Sequence, residues 1–252
     1  MHSNTSNQVA KFTVPLQLNI PEDKLDREIF RIMPIDRLLQ IFSDNKLTLV
    51  KPKLWDDPFE NMLLNGFAKT SEGELVDFVP MRESVYGQCW TLHSETDAMW
   101  RIYSYDKQGA KVKTTIRKLL EALQSESGQY ARVQCFIGEV QYAKTQKALV
   151  ETLLNIDLFN TSGSGLPESL MHKRSEFNHE REIRLIYTGG GESDIHQFTI
   201  DPHELFDEIV FDPRINDHLF EAYKTSLEAK NYKKSIRKSV MYKPPKALMV
   251  NI

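Results

Sequence analysis

The sequence predicts an α+β domain with a mixed, largely antiparallel sheet, flanking helices and a helix near the C-terminus. Strand-like segments come in clusters separated by helical segments of unequal length, unlike the regular alternation of a parallel doubly wound sheet. The chain has 252 residues, 40% of them hydrophobic and 27% charged, enough to bury one sizeable core unaided by metal or disulfides. The two cysteines, Cys89 and Cys135, are too far apart for a disulfide framework or zinc knuckle and read as reduced, buried thiols. We expect residues 1–25 to form an N-terminal arm or an edge strand and 26–252 a single domain.

Each element follows from local pattern. Ile29–Met33 is a short apolar run interrupted by Arg31. After Pro34, Leu38, Leu39, Ile41 and Phe42 recur at helical spacing, and Asn45 is a stop. Leu47–Val50 alternates as a strand that Pro52 ends. Asp57-Pro58 marks a turn with a helix start behind it. Residues 68–83 are polar and read as a loop or short helix, and Tyr86–Leu92 as a buried strand. Ser94–Asp97 caps a helix over Ala98–Tyr103. Lys113–Leu123 carries a helical stripe, and Val133–Tyr142 reads as a strand with Gly138 at a bulge. Ala148–Phe159 and Leu166–Lys173 are helical, joined by the Ser-Gly stretch 162–165. Glu182–Tyr187 alternates as a strand, Gly189–Gly191 turns, and Gln197–Ile200 pairs back as its hairpin partner. Phe206–Phe211 is a strand, Asp217 caps a helix, and Ser239–Tyr242 is the last short strand.

Thirty-two Lys and Arg against 35 Asp and Glu give a formal charge of −3, so any polyanion contact is local. The basic stretch Lys224–Lys246 is the place for one, with a nucleic acid or a protein as the acceptor partner. The N-terminus lacks a basic region followed by an apolar run, and no apolar stretch approaches the ~20 residues of a membrane helix, so a cytoplasmic protein is expected. No H-x-x-x-H, H-E-x-x-H, G-x-G-x-x-G or G-x-S-x-G pattern occurs, and no metal site is expected.

The residues that carry chemistry lie elsewhere. Glu180, Glu182 and Arg184, read as one strand face, place two carboxylates side by side. Such a pair repels, raising one pKa, and can act as general base or stabilise a cation. A solvated face with a Glu182–Arg184 ion pair is the structural alternative. Asp57 and Glu60 sit in Trp55-Asp56-Asp57-Pro58-Phe59-Glu60, where Asp57 either caps a helix or points with Glu60 into a cleft. Trp100 and Tyr103 share a helix face, as core or as a stack for a flat ligand. Arg31 and, more weakly, Lys173 and Arg174 are candidates for a phosphate.

Taken in order, Arg31, the Asp-Asp-Pro-Phe-Glu turn at 56–60, Met99-Trp100-Arg101-Ile102-Tyr103, Lys173, and Phe177-x-x-Glu180-x-Glu182-x-Arg184 resemble the bacterial domain of unknown function 2971 family over roughly residues 29–242. Asp56 stands where that family usually has asparagine, and Arg31 lies in Phe-Arg-Ile where Tyr-Arg is commoner. The same order is similar to that of ADP-ribosyltransferases: an early Arg or His in a strand, an aromatic middle and a late Glu-x-Glu. That resemblance implies an NAD-dependent ADP-ribosyltransferase-like enzyme, a bacterial toxin or antiphage defence effector. It implies Glu182 as catalytic carboxylate, Glu180 as the acceptor-activating one, and Arg31, Trp100 and Tyr103 as NAD-binding residues. Asp57, Glu60, Arg174 and Arg184 would bind substrate. Two alternatives remain open at this point: a non-catalytic ligand- or partner-binding module, and a nuclease holding Mg²⁺ on Asp57, Glu180 and Glu182.

Overall fold

The computed structural model describes residues 17–245. Its strands are β1 (Gln17–Leu18), β2 (Glu28–Pro34), β3 (Lys46–Val50), β4 (Phe67–Lys69), β5 (Leu75–Asp77), β6 (Val85–Thr91), β7 (Gly109–Thr115), β8 (Cys135–Glu139), β9 (Gln141–Ala143), β10 (His172–Arg174), β11 (Glu182–Thr188), β12 (Ile195–Thr199), β13 (Glu208–Phe211) and β14 (Ser235–Lys238). Its helices are α1 (Ile35–Asp44), α2 (Val79–Glu83), α3 (Asp97–Tyr103), α4 (Ile116–Ser127), α5 (Ala131–Gln134), α6 (Gln146–Leu154), α7 (Gly165–Ser169), α8 (Pro202–Leu205) and α9 (Asp217–Ala229). Among the described residues no helix is long and apolar enough to cross a membrane.

The fold is α+β with a mixed, mostly antiparallel sheet, as expected. The main sheet runs β1-β8-β11-β6-β2-β7-β13-β14, with β3 joined to β6 and β12 to β3. Its β1–β8 and β13–β14 pairs are parallel; the others are antiparallel. One face carries the main core, where Ile183 and Leu185 of β11 and Trp90 of β6 meet Leu38 of α1 and Leu119 and Leu123 of α4. On the opposite face Ile186, Phe136, Val85 and Met171 form a second cluster.

Strand β6 positions the site. On one side it pairs with β11 over seven residues, from Glu182↔Thr91 to Thr188↔Val85. On the other it meets β2 only at Phe30↔Thr91 and β3 only at Val50↔Gly87. Between those two points the sheet forks. Gln88 spans the fork, its amide donating to the Thr48 carbonyl at 2.9 Å.

Helix α3 forms one wall of this fork and is anchored from below. The side chain of Thr96 caps it by accepting from the Met99 N–H. The Arg214 guanidinium donates to the Trp100 and Ser104 carbonyls at 3.0 and 2.8 Å, satisfying its C-terminal end. Asp212, fully buried, holds Arg214 at 2.7 Å and accepts from the Ser104 hydroxyl at 2.6 Å. Burial opposes its ionisation, but Arg214 and Ser104 outweigh burial and keep the carboxyl below its ordinary 3.8. Its stabilising contribution is therefore complete above that value and is lost as pH falls through the folded value. Asp212→Ala is expected to cost about 3 kcal/mol in urea unfolding at neutral pH, with a smaller deficit in strong acid.

Several local expectations need correction. Residues 109–115 form β7, so Lys113 belongs to a strand and not to the expected helix; α4 begins only at Ile116. Strand β12 pairs with β3, not back onto β11. Gly138 sits in regular register opposite Arg184. A Cβ there would stand 2.6 Å from the Met171 sulfur, so the glycine serves close packing, not a bulge. The last strand is Ser235–Lys238, not 239–242. Of the N-terminal segment read as an arm or an edge strand, residues 1–16 lie outside the described residues; Gln17–Leu18 is the edge strand beside β8, and Ile20 and Leu25 are buried.

Candidate functional site

The fork opens as a cleft of about 470 Å³. Arg31 of β2, Val50 of β3 and Cys89 of β6 line it from the sheet, and Trp55, Tyr103 and Phe177 contribute aromatic walls. A second hollow of about 420 Å³ continues between β2, β3 and α1. Arg31, Thr48, Val50, Gln88 and Tyr103 border both, so Arg31 stands at their junction.

A buried charge cluster forms the far wall of the first hollow. Glu182 enters β11 on the face opposite Ile183, as alternation predicts. Glu180 is not on that strand. It ends a 3₁₀ turn, Ser175–Glu180, and Arg181 with φ 43° turns the chain into β11. Both carboxylates nevertheless reach the Lys173 ammonium of β10, Glu180 at 2.5 Å and Glu182 at 2.6 Å. Glu60, from the 3₁₀ turn Pro58–Asn61, meets the same ammonium at 2.7 Å. The Arg184 guanidinium lies beneath, 2.7 Å from Glu182 and 3.0 Å from Glu60. Tyr142 accepts the Glu182 backbone N–H at 2.9 Å, and the Tyr103 hydroxyl donates to Glu180 at 3.2 Å.

These contacts divide the two carboxylates. Burial and a hydrogen bond with Glu182 raise Glu180 to about 7, with Lys173 pulling the other way. Burial also opposes ionisation of Glu182, but Arg184, Glu180 and Lys173 outweigh it and hold Glu182 well below the usual carboxylate range. One carboxyl is thus fixed as an anion while its neighbour exchanges a proton near neutrality, a pairing suited to acid–base work.

Arg31 presents the opposite case. It makes no side-chain hydrogen bond or ion pair among the described residues, and burial lowers it to about 10. A guanidinium at a cleft junction with no internal counter-ion is set to receive an anion.

Arg31, Asp57, Glu60, Tyr103, Glu180 and Glu182 all border the one cleft. Three other expected site residues do not line it. Trp100 is fully buried among Ile32, Met99 and Val210, with its indole N–H on Glu95 at 2.8 Å, and presents no exposed ring face to the cleft. Neighbours on one helix face diverge here because that face straddles the core and the cleft. Arg184 is also fully buried and supports Glu182 and Glu60 from behind, out of reach of a substrate. Arg174 is held behind Asp57, 3.0 Å from its carboxylate and over the Phe59 ring at 4.2 Å. Asp57 also caps its turn by accepting from the Phe59 N–H at 3.1 Å.

Lys173, a phosphate candidate from the sequence, instead sits at the centre of the carboxylates. Its ammonium fills the point where Glu60, Glu180 and Glu182 converge, which is where a divalent cation would have to sit. Among the described residues no cluster of three or more His, Cys, Asp or Glu is arranged for a metal. Part of the basic C-terminal stretch is paired: Lys234 with Asp207, Arg237 with Glu208 and Lys238 with Asp217, at 3.2, 2.8 and 2.6 Å. Strand β14 is an edge strand beyond β13 and β7, remote from the fork, and Lys246 lies outside the described residues.

Gly87 lets the cleft wall close over the cluster. A Cβ there would lie 2.6 Å from the Trp55 ring, which packs 4.6 Å from the Arg184 guanidinium. Gly87→Ala is expected to displace Trp55 and to destabilise the protein by about 1–3 kcal/mol in denaturant unfolding.

No known family matches this chain, and no curated protein matches it in sequence. Among solved structures it is similar to three of DarT from Thermus sp. 2.9. The complex with ADP-ribosylated ssDNA gives a TM-score of 0.41 at 12% identity, over 88% of this chain and 96% of that one. The complex with carba-NAD+ gives 0.39 at 13% identity, over 87% and 97%. The complex with NAD+ gives 0.40 at 11% identity, over 88% and 98%.

Proposed function

We propose that this protein cleaves NAD between nicotinamide and ribose and passes the ADP-ribosyl group to an acceptor, as ADP-ribosyltransferases do. The observation that carries the reading is the unpartnered Arg31 in the same cleft as the fixed anion Glu182 and the titratable Glu180. NAD supplies a glycosidic bond that breaks with positive charge growing on the ribose. The residues present fit such a molecule. Arg31 binds its diphosphate in a bidentate fork, and the two hollows beside Arg31 take its two ends. Tyr103, 41% exposed at the rim, offers its ring to the planar nicotinamide. Glu182 faces the ribose with a charge already in place, which needs no reorganisation as the bond breaks. Glu180 accepts the proton of the attacking acceptor group. Glu60 and Asp57 line the cleft, and Glu60 also holds Lys173 and Arg184 in position. An activity of this kind would suit a bacterial toxin or antiphage effector acting in the cytoplasm on a nucleic-acid or protein acceptor.

The pH dependence follows from Glu180. It must be ionised to accept a proton, so turnover falls as pH drops through about 7 and levels off above it. Nicotinamide release, followed by chromatography at fixed acceptor from acid to mildly alkaline pH, reads this directly. A profile flat across neutrality would remove Glu180 from the reaction.

A further inference from the structure

The transferase reading leaves the most heavily bonded cation of the cleft without a part. Lys173 is 5% exposed, and its ammonium touches three carboxylates from three separate elements while lying 4.4 Å from the Phe177 ring centre. With Arg184 it sets two positive charges against the three acids Glu60, Glu180 and Glu182. The cluster is therefore one negative charge in excess when fully ionised, and balanced when one acid is protonated.

We propose that Lys173 is a positioning residue that gathers Glu60, Glu180 and Glu182 around one point and cancels one of their charges, leaving Glu180 as the acid that exchanges the remaining proton. The contacts make the choice of Glu180. Glu182 and Glu60 each meet both cations, whereas Glu180 meets Lys173 alone of the two, its other partners being the neutral Tyr103 hydroxyl and the neighbouring carboxyl of Glu182. The other titratable groups around it are Cys89 across the floor and Tyr142 behind Glu182, both held neutral by burial, Arg31, which borders the same wall, and His179, which lines the same cleft. A ligand carrying positive charge into the cleft then takes over the place of the proton, which leaves Glu180 for solvent. The inference rests on the transferase reading only for the use made of that proton.

The test needs no turnover. In the full-length protein labelled with ¹³Cδ-glutamate, NMR titration is expected to show one carboxyl changing near pH 7, absent in Glu180→Gln. In Lys173→Met that midpoint should rise by at least about one unit, a tenfold gain in proton affinity. In Lys173→Arg, which keeps the charge, it should stay near the wild-type value. Should Lys173→Met not fold, Glu60→Gln provides the opposite sign: one fewer neighbouring anion lowers the midpoint. A folded Lys173→Met with an unmoved midpoint, or an unmoved midpoint in Glu60→Gln, overturns the proposal. Nicotinamide release from the same samples separates the two ideas. Titrations that move as described in a protein that never cleaves NAD would sink the transferase reading and leave the role of Lys173 standing.

Discussion

Glu182→Gln is expected to lower nicotinamide release by roughly 10²–10³-fold, the usual effect of removing one preorganised electrostatic group. The substitution keeps the shape of the side chain and an oxygen to accept from Lys173, gives up the acceptor facing Arg184, which keeps Glu60, and removes an anion from a cluster already in excess by one. The protein should therefore fold, and its affinity for ADP-ribose should change little. The loss appears in kcat, because the interaction removed is with charge that exists only as the bond breaks. Single-turnover kinetics with calorimetric titration of ADP-ribose checks both halves. A variant with wild-type turnover would show that Glu182 is a structural ion-pair partner only.

Arg31→Ala should behave in the opposite way. A hydrogen bond to a charged group is worth about 1.5–3 kcal/mol, so losing the Arg31 fork should weaken ADP-ribose binding by roughly 10- to 200-fold. Stability should hold or rise, since this guanidinium has no partner of its own in the described protein and burial already disfavours its charge. Arg31→Lys should fall between the two, keeping the charge without the fork. Calorimetry and thermal unfolding on the same preparations give both numbers. Unchanged affinity, or a large loss of stability, would mean that Arg31 belongs to the scaffold.

Much of the framework was legible because local physics governs it. Alternation along Glu182–Tyr187 placed Ile183 and Leu185 in the core and Glu182 and Arg184 on the other face. Asn45 ends α1 in the left-handed region, as a stop residue should, and Asp57 caps its turn. What was not legible depends on distant partners. Arg184 reads as a surface residue until Glu60, more than a hundred residues earlier, supplies a second carboxylate for its burial. Lys173 is one lysine among many until three separate segments converge on it. Trp100 and Tyr103 share a helical face, and only the packing of α3 on β2 shows that one faces the core and the other the cleft. The pairing of β12 with β3 is likewise set by the tertiary fold, since the glycine turn before it permits a hairpin as readily.

The most direct measurement is a crystal structure of the Glu182→Gln protein with NAD. It should place the diphosphate within hydrogen-bond distance of Arg31, the two nucleoside ends in the adjoining hollows, and the nicotinamide-bearing ribose carbon facing the residue-182 side chain. NAD bound elsewhere, or a fork that stays empty at saturating NAD while the fold and Arg31 are intact, would contradict the assignment of this cleft.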